Sequence, residues 1–474
     1  METKLTFTFL IYFFVKINSC FKKIFFVIIS FLVFLFYSEA QTPDSSVIRS
    51  IYNEALLNGK SYEDLRELCK NIGARLSGSA QAEMAVKWSE QKMLSYGFDK
   101  VSLQPIIVPH WERGNTEVGW FQIKDKINKV NLLALGGSIG TNGLISGELI
   151  EVNSLEELKK KNSKDIKNKI VFINQKMDDT FIQTFKAYGS CYPIRGNGAV
   201  EASRLGAKAV IIRSLSLSKN EHPHTGSLNY NDSIQKIPAA AISTQDAEQL
   251  STAIKNNQVT FSFEMDCRLY PESPSFNVIG ELKGIEHPDE IITIGGHLDS
   301  WDTGEGAHDD GAGVIHCLEA LRIFKSLKLK PKHTIRVVFF MNEENGNAGG
   351  KSYAKISSEK KEKHIAALES DRGGFAPRGF VSDGNENELK WMQSIAINFK
   401  NYDLHVFDKG GGGVDIGPLK NYFPEIILFS FVPDSQRYFD FHHAPSDVFE
   451  NVNKRELELG AAAIASFIYL LDKK

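Results

Sequence analysis

A chain of 474 residues, 42% hydrophobic and 24% charged, has the apolar content of a globular protein and the length of two or three domains, or of one large domain with an insertion. Its formal net charge of −3 gives no electrostatic footprint for nucleic acid or for an anionic membrane surface. Five cysteines, Cys20, Cys69, Cys191, Cys267 and Cys317, are widely spaced with no CxxC; they make no zinc framework and read as buried thiols.

Lys22-Lys23, a near-unbroken apolar run over 24–37 and then Ser38-Glu39-Ala40 follow the order of an export leader: basic region, apolar region, small-residue cleavage site. The mature chain is then expected to start at Gln41 and to work outside the cytoplasm, secreted or periplasmic, with no stable membrane insertion once the leader is cut. The run is short for a membrane span. An earlier apolar stretch over 5–15 makes the leader long, and an uncleaved anchor is the alternative.

Residues 41–115 read as helical first. Stretches 61–72 and 80–96 carry apolar residues at helical spacing, with Ser77-Gly78-Ser79 placed to cap the second, and a β-rich stretch follows at 101–109. Between about 116 and 270 the texture changes. Short β-like runs at 147–152 and 169–173, a helix-like segment at 199–205 and a strand at 209–212 read as an inserted α/β domain. From 271 to 474 strands and helices alternate strongly: strand 290–295, helix 314–327, strands 333–341, 365–369 and 425–431, and a closing helix at 455–471. The pattern predicts an α/β fold with a mixed, largely parallel sheet sandwiched by helices. The domain plan is a leader (1–40), a first part of the main domain (41–115), the insert (116–270) and the rest of the main domain (271–474).

In open α/β sheets, sites gather at the carboxyl ends of strands. The chain places its acids and imidazoles there. One strand runs into Gly296-His297-Leu298-Asp299, and Asp309-Asp310-Gly311-Ala312-Gly313 then opens a helix. Two further strands run into Asn342-Glu343-Glu344 and Glu369-Ser370-Asp371, and a late loop carries Phe441-His442-His443-Ala444-Pro445-Ser446-Asp447. Imidazoles and carboxylates without thiolates suit zinc in a hydrolytic site, with cobalt or manganese as replacements. Two ions close together need one shared carboxylate and further ligands for each. Each fragment alone is as easily a surface pair or a helix N-terminus; five of them, each at a strand end, are not.

The order His297, Asp309, Glu343-Glu344, Asp371, His443, with the wording around it, resembles the M28 family of zinc exopeptidases. It also resembles the carboxypeptidase Q branch of that family, over nearly all of 45–474. The resemblance includes His222-Pro223-His224-Thr225-Gly226, and the insert resembles a protease-associated domain. It implies two zinc ions bridged by Asp309, one completed by His297 and Asp371, the other by Glu344 and His443. Glu343 is then the general base, and short peptides are the substrate. Asp299, two residues past His297, is placed to orient its imidazole. Of the adjacent His442 and His443, the spacing of four to Asp447 matches the family pattern for His443. His442 stands where several relatives carry an oxyanion-steadying Tyr.

The glycine run at 410–413 lacks the Lys-Ser/Thr of a phosphate loop. It reads as a flexible loop near the substrate, with Asp415 beside it. The resemblance also implies a homodimer, with the insert placed as a lid. The 222–226 segment is either a surface turn or a lid tip whose His224 meets the peptide. Whether the cleft holds the amino or the carboxyl end of a peptide stays open, so an M28 aminopeptidase is the near alternative. A receptor-like relative without catalysis is the distant one, because no ligand is missing here.

Overall fold

The computed structural model describes residues 43–474, so the leader at 1–40 and the start at Gln41 lie outside the described residues. The chain divides into two units, one ending at Arg49 and one from Ser50 to Lys474. Of the first, only the opening turns of the helix Pro43–Asn58 are described.

In the second unit, the helix Ser61–Glu67 continues into a π-helical turn, Leu68–Ile72, and the helix Ala80–Ser95 follows. Ser79 caps that helix: its backbone is extended and its hydroxyl accepts the Ala82 N–H at 3.1 Å. Next come β1 (Lys100–Glu112), β2 (Glu117–Ile123), β3 (Lys126–Val130), β4 (Leu132–Ala134), β5 (Ile145–Val152), β6 (Ile170–Ile173), β7 (Ala209–Arg213), β8 (Ala239–Ile242) and β9 (Thr260–Met265). They are followed by β10 (Arg268–Leu282), β11 (His287–His297), β12 (His333–Phe340), β13 (Lys363–Glu369), β14 (Pro377–Ser382), β15 (Val406–Lys409) and β16 (Ile427–Pro433).

These strands make two eight-stranded sheets. The first runs β1-β10-β12-β11-β13-β16-β14-β15 and the second β3-β2-β9-β5-β6-β7-β8-β4. The first is parallel from β12 through β11 and β13 to β16, and antiparallel where β1, β10 and β14 join it. The antiparallel pairing of β1 with β10 has a topological reason. The chain leaves for the second sheet along β1 and returns along β10, so the two pair from Lys100↔Glu281 to Glu112↔Arg268.

The parallel centre follows from its sequence. Residues 291–297 of β11 and 334–340 of β12 are buried without interruption, as expected of strands covered on both faces. The helix Ala312–Ser326 is buried from Ala312 to Phe324, between β11 and the closing helix Lys454–Leu471. Its first turn needs a glycine: a Cβ on Gly313 would collide with the Ser370 carbonyl oxygen just past β13. That close approach brings the Asp309 and Asp371 loops together.

In the second sheet, β6 and β7 send alternate side chains to opposite faces. Val171, Ile173, Val210 and Ile212 join a cluster that takes in Phe375, Tyr438, Phe439 and Phe441. Ile170, Phe172, Ala209 and Ile211 join another that takes in Leu76 and Trp301. The second sheet thus packs through both of its apolar faces against residues of the loops and the short helix that flank the first sheet. Cys69, Cys191, Cys267 and Cys317 are buried free thiols. Among the described residues no helix is long and apolar enough to cross a membrane.

Candidate metal centre

The carboxyl ends of β11, β12 and β13 meet the 441–447 loop, and the acids and imidazoles converge there. Asp309 is 5% exposed and stands in the middle. Its Oδ1 is 3.3 Å from His297 Nε2, and its Oδ2 is 3.3 Å from His443 Nε2. Each imidazole faces a second acid. His297 Nε2 lies 3.7 Å from Asp371 Oδ1, and His443 Nε2 lies 3.1 Å from Glu344 Oε2. His297, Asp309 and Asp371 offer atoms close enough to share one cation; so do Asp309, His442 and His443.

The supports are main-chain hydrogen bonds. His297 Nδ1–H donates to the Asp299 carbonyl oxygen at 2.9 Å, which leaves Nε2 as the free donor atom. Asp299 therefore orients the ring through its backbone. Its carboxylate, 3.8 Å from that ring, instead accepts the N–H groups of Asn342, Glu343 and Glu344 at 2.7, 3.1 and 3.3 Å. Two acids that carried no role in the sequence reading act in the same way. Asp310 accepts from the His297 and Gly313 N–H groups, both at 3.1 Å. Asp447 accepts from His308 and Asp309 N–H at 2.8 and 3.1 Å. His443 sits at φ 61°, in the left-handed region that a histidine seldom occupies.

Electrostatics show what the cluster lacks. Burial, followed by neighbouring acids, pushes Glu344 well above the usual carboxylate range. Burial leads again for Glu343, pushed up to about 8, and for Asp371, pushed up to about 6, although His297 opposes both shifts. Asp309 goes the other way: burial would raise it, but the His297, His442 and His443 imidazoles hold it well below its ordinary value. Asp309 Oδ2, Glu344 Oε1 and Asp371 Oδ1 are buried with no hydrogen-bond partner. Crowded, desolvated acids with orphaned oxygens are a donor set that fits divalent cations.

A cavity of about 370 Å³ opens over the cluster. Glu343 and His442 line it, and the ring of His442 stacks on that of His443 with centroids 3.5 Å apart. Val414, beside the glycine run, is in the wall; Asp415 is not. Asp415 is fully buried, its N–H donates to Glu369 at 2.9 Å, and both its carboxylate oxygens lack partners. Of the two places open to Asp415, beside the substrate or supporting the site from behind, the first has no face on the cavity.

The 222–226 segment is corrected in the same sense. It is no surface turn, for His224 and Thr225 are 2% and 1% exposed. Nor does it touch the cavity as a lid tip. His224 Nδ1–H donates to the His442 carbonyl oxygen at 2.7 Å, and Thr225 N–H donates to the His443 oxygen at 2.9 Å. The segment braces the ligand loop from behind. The insert supplies other residues to the wall, which sequence reasoning missed: Phe185, Tyr188, Tyr192 and Arg195. They fall in a stretch, 174–198, with no acid–imidazole motif to single it out.

The profile of peptidase family M28 matches residues 277–468. Carboxypeptidase Q of Bos taurus is 34% identical over 427 residues, covering 89% of this chain and 87% of its own. The crystal structure of a peptidase M28 precursor from Shewanella amazonensis SB2B superposes with a TM-score of 0.84 at 33% identity, over 90% of this chain and 96% of that one. A zinc aminopeptidase from Bacillus subtilis, 21% identical over 86% of this chain and 94% of its own, shares the fold with a TM-score of 0.62. The likeness reaches far beyond the ligand motifs, and on that length and identity the chain belongs to peptidase family M28, as a metallo-exopeptidase.

Proposed function

We propose that the chain holds two zinc ions and removes single residues from short peptides, with Glu343 as general base. The observation that carries this reading is Asp309, whose two oxygens face two different imidazoles, each backed by its own acid. His297 and Asp371 would hold one ion with Asp309; Glu344 and His443 would hold the other. Three of these acids carry oxygens that nothing else satisfies. Oxygen and nitrogen ligands without thiolate favour zinc, with cobalt or manganese as substitutes, and the Bacillus subtilis neighbour is a zinc enzyme.

Zinc there would polarise the scissile carbonyl and lower the pKa of an attacking water toward neutrality. Glu343 lines the cavity beside the ligands, and it takes the proton from that water and returns it to the leaving amine nitrogen. The Glu343 N–H is fixed on Asp299, which holds the carboxylate near the reacting atoms. His442, kept neutral chiefly by its burial, offers a ring N–H to the oxyanion. The cavity volume is in the range of a small-ligand site, which suits a dipeptide and not a folded protein. The enzyme works outside the cytoplasm after cleavage before Gln41.

Glu343→Gln tests the reading. An amide keeps the shape but accepts no proton, so turnover of dipeptides is expected to fall roughly a hundredfold or more. Metal content by elemental analysis should stay near that of the wild type. Wild-type turnover in Glu343→Gln would remove Glu343 from this role.

A further inference from the structure

Asp309, Glu344 and His443 line a second, smaller cavity besides the large one described above. Trp301, Thr303 and Asp447 complete its wall, whereas Glu343, Asp371 and His442 line only the large one. The small cavity therefore opens on the Glu344–His443 half of the centre, away from the base. Its volume is about 10 Å³, the room that a single water-sized group needs.

Four side-chain atoms of that wall are buried without a hydrogen-bond partner: Trp301 Nε1, Thr303 Oγ1, Glu344 Oε1 and Asp309 Oδ2. Asp309 Oδ2 and the other Glu344 oxygen, Oε2, face His443 Nε2, where an ion accounts for them. Trp301 Nε1, Thr303 Oγ1 and Glu344 Oε1 are left over. An indole N–H can only donate and an ionised carboxylate can only accept, and each is costly to bury alone. The loop that carries Trp301 and Thr303 has no freedom to turn them elsewhere. The Trp301 ring lies against Gly136 of the second sheet, where a Cβ would collide with it, and joins that sheet's core. Asp302 accepts from Arg113 Nε and Nη2 at 2.9 and 2.6 Å. A Cβ on Gly304 would stand 2.8 Å from the carbonyl oxygens of Ala444 and Asp447.

The occupant must both accept and donate, and it must carry no charge. A cation would meet the Trp301 N–H, and an anion would meet Asp309, Glu344 and Asp447. We propose that the small cavity binds one water molecule, which accepts from Trp301 Nε1–H and Thr303 Oγ1–H and donates to Glu344 Oε1. Three bonds are the usual complement of a buried water. Trp301 and Thr303 are then positioning residues that hold the ligand Glu344 from behind. Because Trp301 is packed into the second sheet, the water ties the seating of that sheet to the metal centre. The water needs only these three atoms; its hold on an ion rests on the function proposed above.

Crystallography of the zinc-loaded wild type, with anomalous scattering recorded at the zinc edge, tests the site. The expected result is a peak without anomalous signal about 2.7–3.2 Å from Trp301 Nε1, Thr303 Oγ1 and a Glu344 oxygen. Zinc at that place, or Trp301 Nε1 bonded directly to a protein oxygen, overturns the proposal. Zinc titration of Thr303→Val, which keeps the shape and loses the hydroxyl, tests the positioning role. One of the two ions is expected to bind roughly 10–100-fold more weakly, and Thr303→Ser should bind both as the wild type does. Wild-type affinity in Thr303→Val overturns that role, and so does an equal loss in Thr303→Ser. If Thr303→Val does not fold, the crystallographic outcomes on the wild type decide. If the wild type takes up no zinc, the metal reading fails, and crystals of the metal-free protein judge the water separately: the same peak supports the site, and a cavity closed by side chains overturns it.

Discussion

The floor of the cavity and the wall from the insert are held in different ways. On the floor, His297, Asp309, Glu344 and Asp371 stand at or after the ends of adjoining parallel strands or open the helix beside them, and buried acids grip the backbones of the first three by hydrogen bonds. On the wall, Tyr188 and Arg195 come from two short helices, Thr184–Cys191 and Pro193–Arg204, placed by apolar packing against Phe439 and its neighbours. Ligands of a metal must be fixed tightly, and a strand end backed by a hydrogen-bonded acid does that. A residue of the cavity wall need only be brought to the rim, and the second sheet supplies it. The acid–imidazole cluster and the aromatic wall over it therefore come from different parts of the chain.

Disturbing a support of the floor should do the most harm. Asp447 does not line the large cavity, yet it holds the Asp309 N–H at 3.1 Å and the His308 N–H at 2.8 Å. Asp447→Asn is expected to lower metal affinity or activity by roughly 10–100-fold, as loss of an outer-shell partner does. Metal titration followed by calorimetry would show it; unchanged affinity would mean the loop holds itself.

Stripping the floor of cations should expose its crowded acids. Asp371, Glu343 and Asp447 are pushed up to about 6, 8 and 7, in each case first by burial. An acid raised on folding is protonated in the native state at pH values where the unfolded chain has already ionised. Its contribution to stability is therefore lost as pH rises above the unfolded value of about 4, and the loss is complete above the folded value. The Tm of metal-free protein should fall between pH 5 and 8, while zinc-loaded protein should show a much flatter profile. Parallel profiles for the two would contradict the account of the floor.

The brace behind the ligand loop should matter least. His224→Ala removes one buried hydrogen bond to the His442 carbonyl oxygen, which is expected to cost about 1–3 kcal/mol of stability. The KM for dipeptides should barely move, because His224 does not line the cavity. A rise in KM without loss of stability would return His224 to the peptide.

The floor was legible in sequence because each of its residues belongs to a short motif at the end of a periodic apolar run, as in 290–297 and 333–344. The strands around it were legible for the same reason. β10 was not: Pro271 and Pro274 and a mostly exposed first half break the alternation of a strand. The structure tolerates both prolines because β12 pairs only with Val278–Leu282, so at those positions β10 has β1 alone beside it. Asp299 was found, but not the atom that holds the ring, since sequence cannot tell a carboxylate contact from a main-chain one. Arg195 was invisible. Nothing within 174–198 says that its guanidinium will be buried against a histidine 248 residues later in the chain. That meeting is made by the docking of the second sheet.

The most direct test of the two-ion floor is the metal content of purified wild type and of Asp309→Asn, each after zinc is added back and excess removed. The account predicts two zinc ions per wild-type chain. It predicts at most one in Asp309→Asn, which keeps the shape of the bridge but loses the charge shared by both sites. A single ion in the wild type, or two in Asp309→Asn, would contradict it.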